Sequence, residues 1–134
     1  MFIQEKHFAI IGDHKYPLYY TNTADLALNI FNTIGNPQAY NKAYAIQGKE
    51  GVPFEEAAKR FVAVYAPEVT VGVYPLSTIK EMGLPPEEEA FMEHMLSYVA
   101  QLKEEPVAEK TWKELGEPEM GIEAFAQALK RQQS

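Results

Sequence analysis

The stretch PFEEAAKRFVAVYAPEVTVGVY, residues 53–74, decides the fold class, because the period of its apolar residues changes at Pro67. Before that proline the apolar positions recur three and four residues apart, which predicts an amphipathic helix with a buried stripe. The members of the stripe are Phe54, Ala57, Ala58, Phe61, Val62 and Tyr65. After the proline, the β-branched run at 69–74 predicts a strand. Together the two elements predict a mixed α and β protein whose core includes the helical stripe.

Further strands and a second helix are predicted on the N-terminal side of this stretch. Residues 7–11 form a short apolar strand, and residues 16–20 form an extended segment in which Pro17 limits regular pairing. Three candidate N-caps at 21–23 then open a helix that ends at Ile34, before Gly35. Its apolar positions recur at helical spacing: Leu26, Ala27, Ile30, Phe31 and Ile34. The alternating pattern at 40–46 predicts a further strand.

Helices dominate the C-terminal half of the sequence. A short helix is predicted at 78–82, a longer one from Pro86, and a last one over about 120–130. The long helix has one apolar face, which consists of Phe91, Met95, Val99 and Leu102. The predicted fold class is α+β, with a small mixed sheet of about four short strands and four or five helices. The length of 134 residues fits a single domain over residues 1–134.

Composition and charge exclude several classes of function. The absence of cysteine excludes disulfide scaffolds, thiolate metal sites and thiol nucleophiles, and it agrees with the cytoplasmic location that we expect. The net charge of −7 comes without a basic stripe, so we expect no nucleic-acid partner. The longest unbroken apolar run, at 61–66, is too short to cross a bilayer, and no basic, apolar leader opens the sequence. We therefore expect no membrane partner.

The residue types that often carry catalysis are scattered along the chain. His7, His14 and His94 lie in separate predicted elements without ligand spacing, so no metal site is predicted. Ser77 and Lys80 match the Ser-x-x-Lys pattern of some acyl-transfer enzymes, but the companion motifs are absent. Because Ser77 directly precedes a predicted helix, we expect its hydroxyl to cap that helix. The sequence therefore offers little support for an independent hydrolase.

The order of several short motifs resembles the extended short-chain dehydrogenase/reductase superfamily, which includes NAD(P)-dependent epimerases, dehydratases and NmrA-like proteins. The motif GDHKYPL at 12–18, followed by TADLA at 23–27, is similar to that family's turn, extended segment and helix with an Asp-x-Ala signature. Residues 42–48, KAYAIQG, resemble the family's next strand, and residues 52–58, VPFEEAA, resemble the helix after it. The segments 111–116 and 122–125 are similar to its closing elements. One departure is His14, which replaces the usual second glycine.

The resemblance implies that the chain is the C-terminal, substrate-binding part of such a protein, without its Rossmann domain. The family's glycine-rich cofactor turn and its Tyr-x-x-x-Lys pair are both absent from this sequence. We therefore assign no catalytic and no cofactor-binding residue, and we expect no catalysis from this chain alone. NAD(P) is implied only where a Rossmann domain is supplied from elsewhere.

The resemblance also implies a ligand site, because in that family the segment before the first helix enters the cleft between the two domains. The ligand-binding residues implied for a small molecule are Lys15, Tyr16, Tyr20 and Asn22. The tyrosine cluster at 16–20 has a second explanation, an amphipathic strand that packs on the core.

A different class of function is a stand-alone interaction or small-ligand-binding module that self-associates. A lobe without its Rossmann domain exposes the apolar surface that the domain would cover, and a homodimer is the commonest way to close such a surface. The surplus of acidic residues lies between Glu81 and Glu123. We therefore expect the contact to use the strands of the N-terminal half.

Overall fold

The computed structural model describes residues 3–4 and 6–133, and it has the α+β fold that the sequence predicts. The described part contains five short strands: β1 Ile3–Gln4, β2 His7–Ile11, β3 Leu18–Tyr19, β4 Gly51–Val52 and β5 Thr70–Tyr74. The α-helices are α1 Thr23–Thr33, α2 Phe54–Tyr65, α3 Pro86–Gln101, α4 Glu109–Leu115 and α5 Ile122–Gln132. Two 3-10 helices are present at Pro37–Ala39 and Leu76–Met82. None of the helices in these ranges combines the length and the apolar character needed to cross a bilayer.

The strands form two small sheets. In the larger sheet β2 is central, antiparallel to β1 and parallel to β5. Across the parallel pair His7 lies opposite Thr70, and Ile11 lies opposite Tyr74. The second sheet is the antiparallel pair of β3 and β4. Since β3 directly follows Pro17 and has two residues, the predicted limit on pairing in this segment is confirmed.

The core lies between one face of the larger sheet and α2. Phe8 and Ile10 of β2 pack against Ala58 of α2 in this layer. On its other side α2 packs against α5, where Ala126 has no exposed surface. The predicted stripe of α2 is therefore confirmed as core, but its aromatic members lie at the rim. Phe61 is half-buried and stacks on the ring of Tyr65 with centroids 5.2 Å apart.

Arg60 on α2 holds two distant segments in place through its guanidinium group. It donates to both carboxylate oxygens of Glu50, at 2.7 and 3.0 Å, and to both of Glu123, at 2.5 and 3.0 Å. These hydrogen bonds keep the pKa of both carboxyl groups below their ordinary value. The two side chains are therefore ionised at neutral pH. Paired hydrogen bonds of this kind fix geometry as well as charge, so the turn before β4 and the start of α5 are both joined to α2.

The helix α1 has its polar side toward the protein and its apolar side toward solvent. Asp25 and Asn29 are buried, whereas Ile30 is 57% and Phe31 is 69% exposed. Ile34, the residue that ends the helix, is 73% exposed. A surface helix normally has the reverse arrangement. The apolar spacing that predicts this helix is correct, but the stripe it defines lies outside the core.

Hydrogen bonds to the protein hold α1 in this orientation. The carboxylate of Asp25 accepts from the backbone N–H groups of Glu119 and Met120, both at 3.1 Å, and from the side-chain amide of Asn22 at 2.9 Å. Asn22 is also the N-cap of α1, since its side-chain oxygen accepts from two backbone N–H groups of the first turn. Near the other end Asn32 donates to the last carbonyl of α4 at 2.6 Å. The inner face of α1 is therefore attached by polar contacts.

Two predicted elements differ in the structure. Residues 42–48 form no turn or bend and pair with no strand of the described chain, so the strand predicted at 40–46 is wrong here. A strand needs a partner ladder, which sequence alternation cannot supply. The helix predicted at 78–82 is the 3-10 helix Leu76–Met82. The predicted cap at Ser77 is also wrong, because Pro75 occupies the N-cap position and no side chain caps this helix.

We predict that the same substitution at two isoleucines affects stability very unequally. Ile79 is 1% exposed, so Ile79→Ala should lower the free energy of unfolding by about 2–4 kcal/mol through loss of packing and an unfilled cavity. The matched control, Ile30→Ala on the outer face of α1, should change it by less than about 0.5 kcal/mol. Urea unfolding at low micromolar concentration measures both values. A large loss in the control variant would contradict the outward orientation of α1.

A second prediction concerns the buried carboxylate of α1. Asp25→Asn replaces one acceptor oxygen by an amide donor that faces backbone N–H groups, so we expect a loss of about 2 kcal/mol of unfolding free energy. The same substitution at Asp13, which forms an exposed ion pair with Lys15 at 2.9 Å, should cost less than about 0.5 kcal/mol. Equal losses in the two variants, measured by thermal or urea unfolding, would rule out the structural role of Asp25.

Candidate functional site

The face of the larger sheet that points away from the core has a hollow at its centre. Side chains alternate along a strand, so His7, Ala9 and Ile11 lie on this face while Phe8 lies on the core side. In the parallel register Ala9 is the neighbour of Gly72 in β5. The rings of His7 and Tyr74 lie over Gly72, so the open part of this face lies over the methyl group of Ala9.

The helix α3 borders this hollow without filling it. It packs mainly on the 3-10 helix Leu76–Met82, and none of its 16 residues is buried. An open groove of about 670 Å³ therefore lies between α3 and the sheet. Its lining contains no Asp, Glu, Lys or Arg, and the α3 residues that contribute to it are Met92, Met95, Leu96 and Val99. The groove is apolar and uncharged apart from a few hydrogen-bonding groups.

Those groups form a chain of hydrogen bonds at one side of the groove. The hydroxyl of Tyr74 lies 2.8 Å from Nε2 of His7, and Nδ1 of His7 lies 2.7 Å from Oγ1 of Thr70. The two rings meet edge to face with centroids 5.8 Å apart. Gly72 makes this approach possible, since a Cβ there would lie 2.9 Å from the His7 ring and 3.0 Å from the Tyr74 ring. The arrangement presents a phenol hydroxyl, oriented by an imidazole, to an apolar groove.

A second histidine closes another side of the groove. Nε2 of His14 lies 3.0 Å from the carbonyl oxygen of Ile11, and its ring meets Phe54 edge to face at 5.5 Å. A carbonyl oxygen only accepts hydrogen bonds, so Nε2 of His14 carries a proton and donates it here. The residues of this wall are thus fixed by contacts within the chain.

Sequence analysis missed His7 and Tyr74 as a pair, because they are 67 residues apart and meet only through the parallel pairing of β2 and β5. One signal was present in the sequence. Gly72 interrupts a β-branched run, and a glycine inside a strand often marks the close approach of another group.

The four residues predicted to bind a ligand do not lie together. Lys15 pairs with Asp13 on an exposed turn, and the ring of Tyr16 lies 4.5 Å from the ammonium group of Lys103. Asn22 caps α1, as described above, and its amide also donates to the carbonyl of Met120 at 3.3 Å. The groove beside α3 is not lined by Lys15, Tyr16 or Asn22, and neither is a second cleft, which lies beside Tyr20. A ligand-binding role for these residues remains a prediction.

Of these four residues, Tyr20 is the one that lines the second cleft. This cleft has a volume of about 530 Å³. Its hydroxyl oxygen is buried and has no hydrogen-bond partner among the described residues. Burial, and to a smaller extent the nearby Glu104, raises the pKa of Tyr20. The cleft is also lined by Glu50, Glu117 and Glu119 and by one cation, Lys49, which pairs with Glu117, so its rim is acidic overall. This cleft therefore suits an anionic ligand poorly.

The N-termini of the α-helices in the described chain are acidic, which disfavours the phosphates of a dinucleotide at these positions. Such phosphates bind at helix N-termini, where backbone N–H groups and the helix dipole favour negative charge. All five α-helices carry an acidic residue in the first turn, and α3 carries three: Glu87, Glu88 and Glu89. These carboxylates would repel a phosphate. The described residues also contain no group of three or more His, Cys, Asp or Glu side chains that could hold a metal ion.

Comparison with solved structures places this geometry in a known fold. The chain superimposes on a triphenylmethane reductase of Citrobacter sp. with a TM-score of 0.65 and 18% identity, in a structure determined to understand the bioremediation of triphenylmethane dyes. A second structure of that reductase, in complex with NADP(H), gives a TM-score of 0.63 and 15% identity. This chain therefore has the fold of part of that reductase.

The extent of the match is as informative as its quality. In both comparisons 91% of this chain is covered, but only 44% of the reductase. The chain thus spans less than half the length of the enzyme it resembles. No protein-family model and no curated protein matches the sequence.

We predict that this chain by itself binds neither NAD(H) nor NADP(H), because its helix N-termini are acidic and its sequence has no glycine-rich cofactor turn. Isothermal titration calorimetry with each dinucleotide should give no saturable heat up to millimolar concentration. A micromolar dissociation constant with a stoichiometry of one would show that a cofactor site exists in the chain.

Proposed function

We propose that this chain is the substrate-binding lobe of an NAD(P)-dependent protein of the extended short-chain dehydrogenase/reductase superfamily, and that it is not catalytic alone. The observation that carries the proposal is the orientation of α1. Its apolar face points to solvent, and no part of the described chain covers it. The fold supports it too, since the reductase it resembles belongs to the NmrA-like group of that superfamily. In such a lobe the groove beside Tyr74 holds the substrate, and the cofactor is held by another domain.

The exposed face of α1 is large enough to need a partner. Its apolar side chains run the whole length of the helix: Leu26, Ala27, Leu28, Ile30, Phe31 and Ile34. Covering a side chain of this kind stabilises a complex by roughly 1.5–3 kcal/mol when burial is complete. Contiguous apolar surface on an otherwise charged protein typically marks an interface. We therefore assign the outer face of α1 to the contact with the cofactor-binding domain.

Residues 42–48 supply a second part of the same contact. Backbone carbonyl groups of Ala45 and Gln47 accept hydrogen bonds from Thr111 at 2.6 Å and from Trp112 at 3.2 Å, and these bonds hold one edge of the segment on α4. Backbone groups of an extended chain alternate in direction. The N–H and C=O groups of the intervening residues 44 and 46 therefore point away from α4, and they have no partner in the described chain.

An extended segment with a free edge adds readily to a neighbouring sheet. Residues 42–48 follow α1 after a short connection, and a helix joined in this way to a strand commonly covers the sheet to which that strand belongs. The apolar face of α1 and the free edge at 44 and 46 thus fit one partner, a β-sheet of the cofactor-binding domain. This arrangement also accounts for the alternating sequence at 40–46, which predicts a strand that the described chain leaves unpaired.

Amide hydrogen exchange tests this contact. In the isolated chain the amides of Tyr44 and Ile46 should exchange within about tenfold of the unfolded rate, while that of Val62 inside α2 is strongly protected. Joined to a cofactor-binding domain, the two amides should become protected. Ile46→Pro removes the N–H group of residue 46 together with a half-buried side chain, so the Tyr44 amide is the readout in this variant. We expect Tyr44 to stay unprotected when the folded variant is joined to the cofactor-binding domain. Protection of both amides in the isolated monomer would contradict the proposed contact.

The second candidate function is a stand-alone module that self-associates, and the apolar face of α1 favours it as well. This places the contact on α1 more than on the described strands, where the large apolar side chains that are exposed are Val73 and Tyr74 of β5. Sedimentation equilibrium at micromolar concentration should then show a dimer that Phe31→Gln weakens. The control is Tyr98→Gln, at a residue of α3 that is 66% exposed. A monomer across the whole concentration range would rule this candidate out.

A further inference from the structure

We propose that the groove between α3 and the larger sheet binds an uncharged, flat aromatic molecule with one polar substituent, and that the hydroxyl of Tyr74 makes the hydrogen bond to that substituent. The proposal rests on the proposed substrate-binding role and adds the chemical class of the ligand. It follows from three properties of the groove, which are its shape, its charge and the position of its hydrogen-bonding groups.

The shape of the groove comes from the missing side chains of the sheet. Ala9 forms the open floor, which is nearly flat there because its side chain is a single methyl group, and beside it the rings of His7 and Tyr74 lie over Gly72. Met92 and Met95 lie on the opposite side, and both side chains are unbranched and adaptable. A volume of about 670 Å³ is within the usual range for small-molecule sites. A flat ring fits between a flat floor and methionine side chains, which favour contact with aromatic faces and edges.

The residues that line the groove disfavour charged ligands. No Lys or Arg lines it, so a phosphate or carboxylate group would lose its water without gaining a partner. No Asp or Glu lines it either, so a cationic ligand would find no carboxylate to pair with. A nucleotide-linked or otherwise phosphorylated substrate is therefore disfavoured. The ligand that fits this lining is neutral.

The hydrogen-bonding groups lie where they can orient such a ligand. Tyr74 is 38% exposed and belongs to the groove lining. Its hydroxyl makes one contact within the chain, with Nε2 of His7, whose Nδ1 in turn contacts Thr70. The phenol oxygen therefore has capacity for one further hydrogen bond. Because the floor beside it is apolar, a ligand with one polar substituent places that group at Tyr74 and its ring over Ala9.

Three probes that share one ring system test this assignment on the isolated chain at neutral pH. Naphthol has the ring and a neutral hydroxyl, methylnaphthalene has the ring alone, and naphthyl phosphate has the ring and a negative charge. We expect naphthol to bind about fivefold more tightly than methylnaphthalene, as one hydrogen bond provides. Naphthyl phosphate should bind at least about tenfold more weakly than naphthol. Fluorescence titration gives the three dissociation constants.

Tyr74→Phe should bring the affinity for naphthol down to that for methylnaphthalene and leave methylnaphthalene unchanged. The control Tyr98→Phe, on α3 but outside the groove lining, should change neither. The site itself is located by the NMR signals of the methionine methyl groups. Ring currents from bound naphthol should shift Met82, Met92 and Met95, which line this groove, and should not shift Met120, which lines the acidic cleft.

Several outcomes would overturn the proposal. Binding of naphthyl phosphate as tight as that of naphthol would show that the groove is not selective for neutral ligands. Shifts at Met120 alone would place the ligand in the other cleft. The absence of binding by all three probes up to millimolar concentration, with unshifted methionine signals, would show that the groove holds no ligand. None of these results bears on the amide exchange of Tyr44 and Ile46, so they are distinguishable from failure of the substrate-binding lobe itself.

Discussion

The rest of the structure depends on the buried carboxylate of Asp25. It accepts backbone hydrogen bonds from residues 119 and 120, just before α5, and so joins the first turn of α1 to the C-terminal part of the chain. A buried carboxylate requires such partners, because an unpaired charge in the interior is very costly. Once Asp25 and Asn29 occupy the inner face of α1, helical geometry directs Ile30, Phe31 and Ile34 outward. The exposed apolar surface is thus a consequence of a polar attachment.

The larger sheet divides the molecule in a similar way. On one face Phe8 and Ile10 pack against α2 and form the core. On the other face the small side chain of Ala9 leaves room, and α3 lies beside the opening without a buried residue. The same two strands therefore build the core and the groove.

Charge separates the two clefts and limits what each can bind. The groove beside Tyr74 is uncharged, whereas the cleft beside Tyr20 has an acidic rim. Acidic residues also occupy the first turn of every α-helix in the described chain, where they favour the helix dipole and repel phosphate. These charges agree with the proposal that the groove takes an uncharged ligand and that a phosphorylated cofactor binds elsewhere.

The sequence by itself determined the elements whose pattern is local. The period of three and four residues predicts α2, the β-branched run predicts β5, and the bounds of β2 at 7–11 are confirmed. Asn22 is one of the three predicted N-caps of α1 because capping involves only neighbouring residues. The α+β class follows from these elements, since each is recognised from its own periodicity in the sequence.

Only the tertiary structure decided which surfaces are buried and which residues meet. Apolar spacing is the same whether a helix directs its apolar face to the core or to solvent, so the outward face of α1 was not predictable. The pairing of His7 with Tyr74, and the unpaired state of residues 42–48, depend on strand neighbours distant in sequence. The dispersal of Lys15, Tyr16, Tyr20 and Asn22 has the same cause. Local pattern specifies a helix or a strand, whereas register, orientation and partners are set by packing between distant segments.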